Sequence, residues 1–163
     1  MYKSLIIVLT VALSLGSCAQ NTFNQTVDGY LNFSVDTIST QSFSKIIKKV
    51  KIIDARSLAE YSTSKIVGAQ FIDFDNPNFN TLQIAKSDTI VVYCTIGYRS
   101  EKIGKQLKDK GFTNVLNLYG GIIQWANDSN QVCNPTGMTT NSIHTYDASW
   151  GKWLTNINFQ KVN

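Results

Sequence analysis

The 163-residue sequence holds a single histidine, three cysteines and two prolines, and only 16% of its residues are charged. One histidine leaves no Cys/His cluster for a structural zinc, and three irregularly spaced cysteines do not make a disulfide scaffold, so each cysteine is read singly. So few prolines, in a chain that is 43% hydrophobic and 11% aromatic, exclude a disordered or fibrous chain and fit one compact domain. The net charge is +4, from 15 basic and 11 acidic residues spread along the chain with no basic block. A nucleic-acid partner is therefore not expected, while attraction for small anions is. Neither a glycine-rich phosphate loop nor a ligand cluster is present, so no metal and no nucleotide cofactor is expected. Long apolar runs are also missing: the longest, Leu5 to Leu15, is too short to cross a bilayer as a lasting helix.

With Met1-Tyr2-Lys3 ahead of it, that run reads as a secretory signal over residues 1–17. It ends in Leu15-Gly16-Ser17-Cys18, which resembles the lipobox of bacterial lipoproteins: an apolar residue three before the cysteine, small residues before the cut, and cysteine as the new N-terminus. The resemblance implies acylation of Cys18 and a soluble domain held by several chains on a membrane of the cell envelope, at the outer membrane facing the periplasm. Ordinary secretion with an unmodified Cys18 is the alternative. Residues 18–37 are rich in Asn, Thr, Gln and Ser and read as a polar tether, followed by a domain over 38–130 and a C-terminal extension over 131–163.

From Thr40 the pattern becomes periodic. Phe43, Ile46, Ile47 and Val50 form one helical face, with Ser42 or Thr40 as cap, and Val50 to Asp54 reads as a buried strand. A helical turn over Ser57 to Tyr61 and a strand over Ala69 to Phe74 follow. Thr89 to Tyr93 is a continuous β-branched and aromatic run of the kind buried on both faces of a parallel sheet, and it delivers Cys94 to its carboxyl end. Ser100 to Lys110 reads as an amphipathic helix with Ile103 and Leu107 inward, Asn114 to Leu118 as a strand, and Ile122 to Ala126 as a short helix. Strands alternating with helices predict an α/β domain with a mainly parallel sheet flanked by helices on both faces, its site at the strand carboxyl ends.

The segment Cys94-Thr95-Ile96-Gly97-Tyr98-Arg99-Ser100 lies between that strand and the amphipathic helix. A loop of this length, with Gly97 free to take unusual backbone angles, can turn successive N–H groups toward one point beside a helix N-terminus. A thiolate there is stabilised. Arg99 adds a permanent cation that either braces the loop or meets an anionic substrate. Asp54 and Arg56 read as a structural pair at a neighbouring strand end, and Arg56 and Glu60, four apart, are spaced to pair as well.

Cys94, Gly97, Arg99 and Ser100 match the Cys-x-x-Gly-x-Arg-Ser loop of the rhodanese family, which the chain resembles. Ile53-Asp54-Ala55-Arg56 is similar to the family's Asp-Val-Arg strand end, Glu60-Tyr61 with Gly68-Ala69 to its Glu-Tyr…Pro-Gly-Ala segment, and Gly120-Gly121-Ile122 with Trp125 to its closing motif. The family's His-Ile-Pro is Lys65-Ile66-Val67 here. The resemblance implies a rhodanese-like fold and sulfur transfer: Cys94 takes the outer sulfur of thiosulfate or a persulfide donor and passes it to a thiol or cyanide acceptor. It casts Cys94 and Arg99 as the reacting centre, Thr95, Ile96, Gly97, Tyr98 and Ser100 as the cradle that binds substrate, and Asp54 and Arg56 as support. Four residues separate Cys94 from Arg99, whereas tyrosine-phosphatase-type loops place five, which implies a cradle sized for sulfur rather than phosphate. A monomer is expected.

A non-catalytic tethered binding module is the alternative, and a thiol redox protein pairing Cys94 with Cys133 is another. Cys133 itself reads as a structural thiol, a disulfide partner or a resolving thiol. In the tail, Trp150-Gly151-Lys152-Trp153 with Leu154 is apolar enough to pack back on the domain.

Overall fold

The computed structural model describes residues 22–163, so Cys18 and the leader lie outside the described residues. Helix α1 covers residues 22–30. Strand β1 (Thr37–Ile38), helix α2 (Thr40–Ile46), strand β2 (Lys51–Asp54), helix α3 (Leu58–Thr63) and strand β3 (Ala69–Phe71) follow. Then come β4 (Thr89–Tyr93), α4 (Tyr98–Asp109), β5 (Asn114–Leu118) and α5 (Gly121–Asn127). The tail adds β6 (Val132–Cys133), β7 (Thr139–Thr140), β8 (Ser142–His144), α6 (Ala148–Gly151) and β9 (Gln160–Val162).

Five strands form one sheet in the order β1-β5-β4-β2-β3, every pair parallel. Side chains of β4 alternate between two cores, as the period of two requires. Ile90 and Val92 join Ile53, Ile103 and Leu107 beneath α4, while Val91 and Tyr93 join Ile52, Phe43, Ile122 and Trp125 beneath α2 and α5. Helices thus cover both faces of the α/β sheet. The cap of α2 is Ser39, whose Oγ accepts from the Ser42 N–H; it precedes the expected Thr40 by one residue and Ser42 by three. Strand β3 stops at Phe71, short of the expected Phe74; the Ile72 N–H still reaches Asp54 O at 3.0 Å, and the chain then leaves the sheet.

Residues 22–37 are not a free tether. Phe23, Val27 and Leu31 recur every four residues, and all three are buried against Ile96 and Ile123. The segment after α1 is anchored by a carboxylate at the start of α4: Glu101 accepts from the N–H groups of Asn32 and Ser34 and from the Ser34 hydroxyl. Thr37 and Ile38 then pair with Asn117 and Leu118 as the edge strand β1. At the other end the tail lies against α1, with Phe23 5.4 Å from Trp153 and Tyr30 5.2 Å from Trp150, ring centre to ring centre.

Candidate active site

β4 carries Cys94 to the carboxyl edge of the sheet, where α4 begins after Gly97 at φ +117°, a conformation that favours glycine. Carbonyls of this loop are tied down behind it. Cys94 O accepts from Ile122 N at 2.9 Å and Thr95 O from Ile123 N at 3.3 Å, both at the N-terminus of α5. Gly97 O accepts from Glu101 N, from the Ser100 hydroxyl and from Asn117 Nδ2. With these three carbonyl oxygens bonded, the Gly97 N–H donates to Cys94 Sγ at 3.2 Å. The first-turn N–H groups of Tyr98, Arg99 and Ser100 precede the hydrogen-bond ladder of α4, which adds its positive end.

Gly121 allows the close approach of α5. A Cβ there would lie 2.6 Å from the Thr95 carbonyl oxygen and closer still to Cys94 O. Ser100 works from behind: its buried hydroxyl bonds Gly97 O and Asn117 Oδ1, so any contact it makes with a substrate is through its N–H and not its side chain.

Arg99 is held by Glu60. Two guanidinium nitrogens reach the two carboxylate oxygens at 2.8 and 2.7 Å, and one of them also donates to Thr95 Oγ1 at 2.7 Å. Thr95 in turn donates to Glu60 Oε1, while the Ser57 N–H and hydroxyl donate to Oε2. Burial pushes the Glu60 carboxyl up, but the Arg99 hydrogen bonds and charge, the Ser57 N–H and the Arg56 charge outweigh it and bring it down to about 2. This corrects the expected Arg56–Glu60 pair: Glu60 turns to Arg99, 39 residues away, and no local spacing signals it.

Arg56 belongs to a different buried cluster. Its Nε and Nη2 bond both oxygens of Asp54 at 2.9 and 2.7 Å, and Nη2 also reaches Ser64 O. Tyr93 donates to Asp54 Oδ2 and accepts from the Ile66 N–H. Burial works against the Arg56 charge, and the adjacent Asp54 carboxylate overrides it, so the guanidinium is held above its ordinary value. The cluster ties the end of β2 to the loop after α3.

A cavity of about 390 Å³ opens over the cysteine, lined by Cys94, Thr95, Ile96, Tyr98 and Arg99 together with Tyr30, Phe74, Asp75, Tyr146 and Trp150. Tyr146 lies 5.0 Å over the Arg99 guanidinium with φ +72°, a left-handed conformation costing about 1–2 kcal/mol outside glycine. Cys94 and Cys133 are both free and buried, and Cys133 is not among the lining residues. No group of three or more His, Cys, Asp or Glu among the described residues is placed to hold a metal ion.

The rhodanese-like domain family matches residues 39–128. This chain belongs to that family. The rhodanese-like chain is 31% identical over 106 residues to a sulfurtransferase of Allochromatium vinosum, covering 63% of this chain and 99% of that one. It is 38% identical over 84 residues to the tRNA uridine(34) hydroxylase of Aster yellows witches'-broom phytoplasma, covering 48% of this chain and 27% of that larger enzyme. Its fold resembles that of a polysulfide-sulfur transferase homodimer from Wolinella succinogenes, with a TM-score of 0.56 over 76% of this chain and 95% of that one at 19% identity. Family and sulfurtransferase relative together support a general sulfur-transfer role. Cys94, Arg99, Glu60, Asp54 and Arg56 fall inside the rhodanese-like match, whereas Tyr30, Tyr146 and Trp150 come from segments outside it.

Proposed function

We propose that this rhodanese-like protein is a sulfurtransferase in which Cys94 carries sulfane sulfur from thiosulfate or a persulfide donor to a thiophilic acceptor. The observation that carries the reading is the position of Cys94 Sγ in front of a loop whose carbonyls are bound behind it and whose Gly97 N–H already donates to sulfur. In the first step the Cys94 thiolate attacks the outer sulfur of thiosulfate. A bond forms between the two sulfurs, the bond to the sulfonate sulfur breaks, and its electron pair leaves with sulfite. The persulfide so formed carries one negative charge on its terminal sulfur, which the loop amides and the α4 N-terminus stabilise. In the second step the acceptor, cyanide or a thiolate, attacks that terminal sulfur and Cys94 leaves as thiolate. Arg99, its fork held by Glu60 and Thr95, fixes the loop's far side and contributes positive charge to the cavity wall.

Steady-state thiocyanate formation from thiosulfate and cyanide tests this reading. The wild type is expected to turn over and Cys94→Ala to show none; turnover by Cys94→Ala, or hydrolysis of an aryl phosphate at a comparable rate, contradicts it.

The proposal extends to location. The Leu15-Gly16-Ser17-Cys18 segment supports acylation of Cys18 and an envelope-facing domain. Because α1 begins by residue 22, the domain would stand close to the membrane rather than at the end of a long tether. Incorporation of labelled palmitate that Cys18→Ser abolishes is the expected result, and a protein that stays unlabelled and soluble on fractionation opposes it.

A further inference from the structure

Resting on that persulfide reading, we propose that the cavity over Cys94 selects sulfane-sulfur donors bearing an aromatic or apolar organic group, with inorganic thiosulfate the poorer donor. Three observations carry this. Half of the residues lining the cavity are aromatic: Tyr30, which stands edge-on to Trp150 at 5.2 Å and to Tyr98 at 6.0 Å, with Phe74 and Tyr146. Tyr30 and Tyr146 remain 47% and 54% exposed, so burial in a core does not account for their placement. Tyr146 moreover holds a left-handed backbone while its ring covers Arg99.

Charge points the same way. The two charged side chains lining the cavity are Arg99, whose fork is committed to Glu60, and Asp75, which is exposed. With its outer sulfur in the amide cradle, thiosulfate would leave a sulfonate bearing the second of its two negative charges against aromatic rings and a carboxylate. An organic thiosulfonate or persulfide puts its one anionic sulfur in the cradle and its carbon body on the rings. At about 390 Å³ the cavity lies in the range of about 300–1,000 Å³ typical of sites for organic small molecules, far more than an inorganic ion fills. The reaction is unchanged in kind. Cys94 thiolate bonds to the outer sulfur of R–SO2–S⁻, the bond from that sulfur to the sulfonyl sulfur breaks, and the sulfinate R–SO2⁻ leaves with the electron pair.

The test uses the full chain purified in detergent and measures the rate of persulfide loading by benzenethiosulfonate and by methanethiosulfonate, with a cysteine peptide giving their intrinsic reactivity. The ring-to-methyl rate ratio is expected to exceed the peptide's by about tenfold, and Tyr30→Ala and Trp150→Ala each to lower it about three- to tenfold, the size of one ring contact. Trp150→Phe, which keeps a ring and the packing of the tail, should retain most of the preference. A ratio equal to the peptide's, or one that neither alanine variant changes, overturns the inference while leaving persulfide formation intact. Failure of thiosulfate and both thiosulfonates to place sulfur on Cys94 overturns the sulfurtransferase reading, and this inference with it.

Discussion

Two hydrogen bonds from the Arg99 guanidinium land on the Glu60 carboxylate, and Thr95 and Ser57 fill its remaining acceptor positions. A carboxyl lowered from 4.5 to about 2 on folding contributes stability that is fully present above about pH 4.5 and is lost as the pH falls through about 2. The shift corresponds to about 3 kcal/mol at neutral pH. Glu60→Gln should therefore lower the unfolding free energy by about 3 kcal/mol at neutral pH, leaving the part-buried Arg99 guanidinium without its counter-charge. Urea titrations of both proteins across the acid range check the sign: the gap between them should close below about pH 4.5, and a gap constant down to about pH 2 goes against the assignment. Glu60 escapes sequence reasoning as an active-site residue because its partner is 39 residues away, and the nearby Arg56 offers a false local match. Cys94, Gly97 and Arg99, by contrast, are legible because they share one short loop.

At the scale of elements, the cysteine loop is held between two helix N-termini, α4 continuing from it and α5 bonding the carbonyls of Cys94 and Thr95 from behind. Gly121→Ala would force the α5 backbone away from those carbonyls and should reduce kcat/KM for sulfur transfer more than about tenfold while the far-UV spectrum keeps its helix content. Near-native kinetics in that variant would show that α5 does not set the loop. Helix α1 presents a second case. Phe23 is buried against Trp153 and Ile123, and its replacement by alanine is expected to cost about 3–5 kcal/mol in chemical denaturation. A loss under about 1 kcal/mol would instead match a loosely attached arm. Strand β4 is legible from sequence because both its faces are apolar or β-branched, and β5 because Val115, Leu116 and Leu118 sit in a short run between Gly111 and Gly120. α1 is not, since its abundant Asn, Thr and Gln suggest a tether, and its apolar stripe is one residue wide: Phe23, Val27, Leu31. β1 has only two residues and gains its identity from pairing with β5, which is information carried by the fold and not by the local sequence.

On the scale of the molecule, the parallel sheet and the Cys94 loop lie within the region matched by the rhodanese-like family, and the N- and C-terminal segments pack on each other to build the outer wall of the cavity. The α/β class follows from alternating strand and helix patterns. How the tail reaches the site does not, because contacts such as Tyr30 with Trp150 join residues 120 positions apart. In the reading proposed above, the wall tunes which donor enters and the loop performs the transfer. That division rests on Cys94 becoming a persulfide. The most direct measurement is the intact mass of the full-length protein after exposure to thiosulfate or benzenethiosulfonate under non-reducing conditions, followed by cyanide. The account predicts a gain of one sulfur atom on Cys94, absent in Cys94→Ala, which leaves as thiocyanate when cyanide is added. An unchanged mass with Cys94 reduced and accessible, or added sulfur that persists in Cys94→Ala, would contradict it.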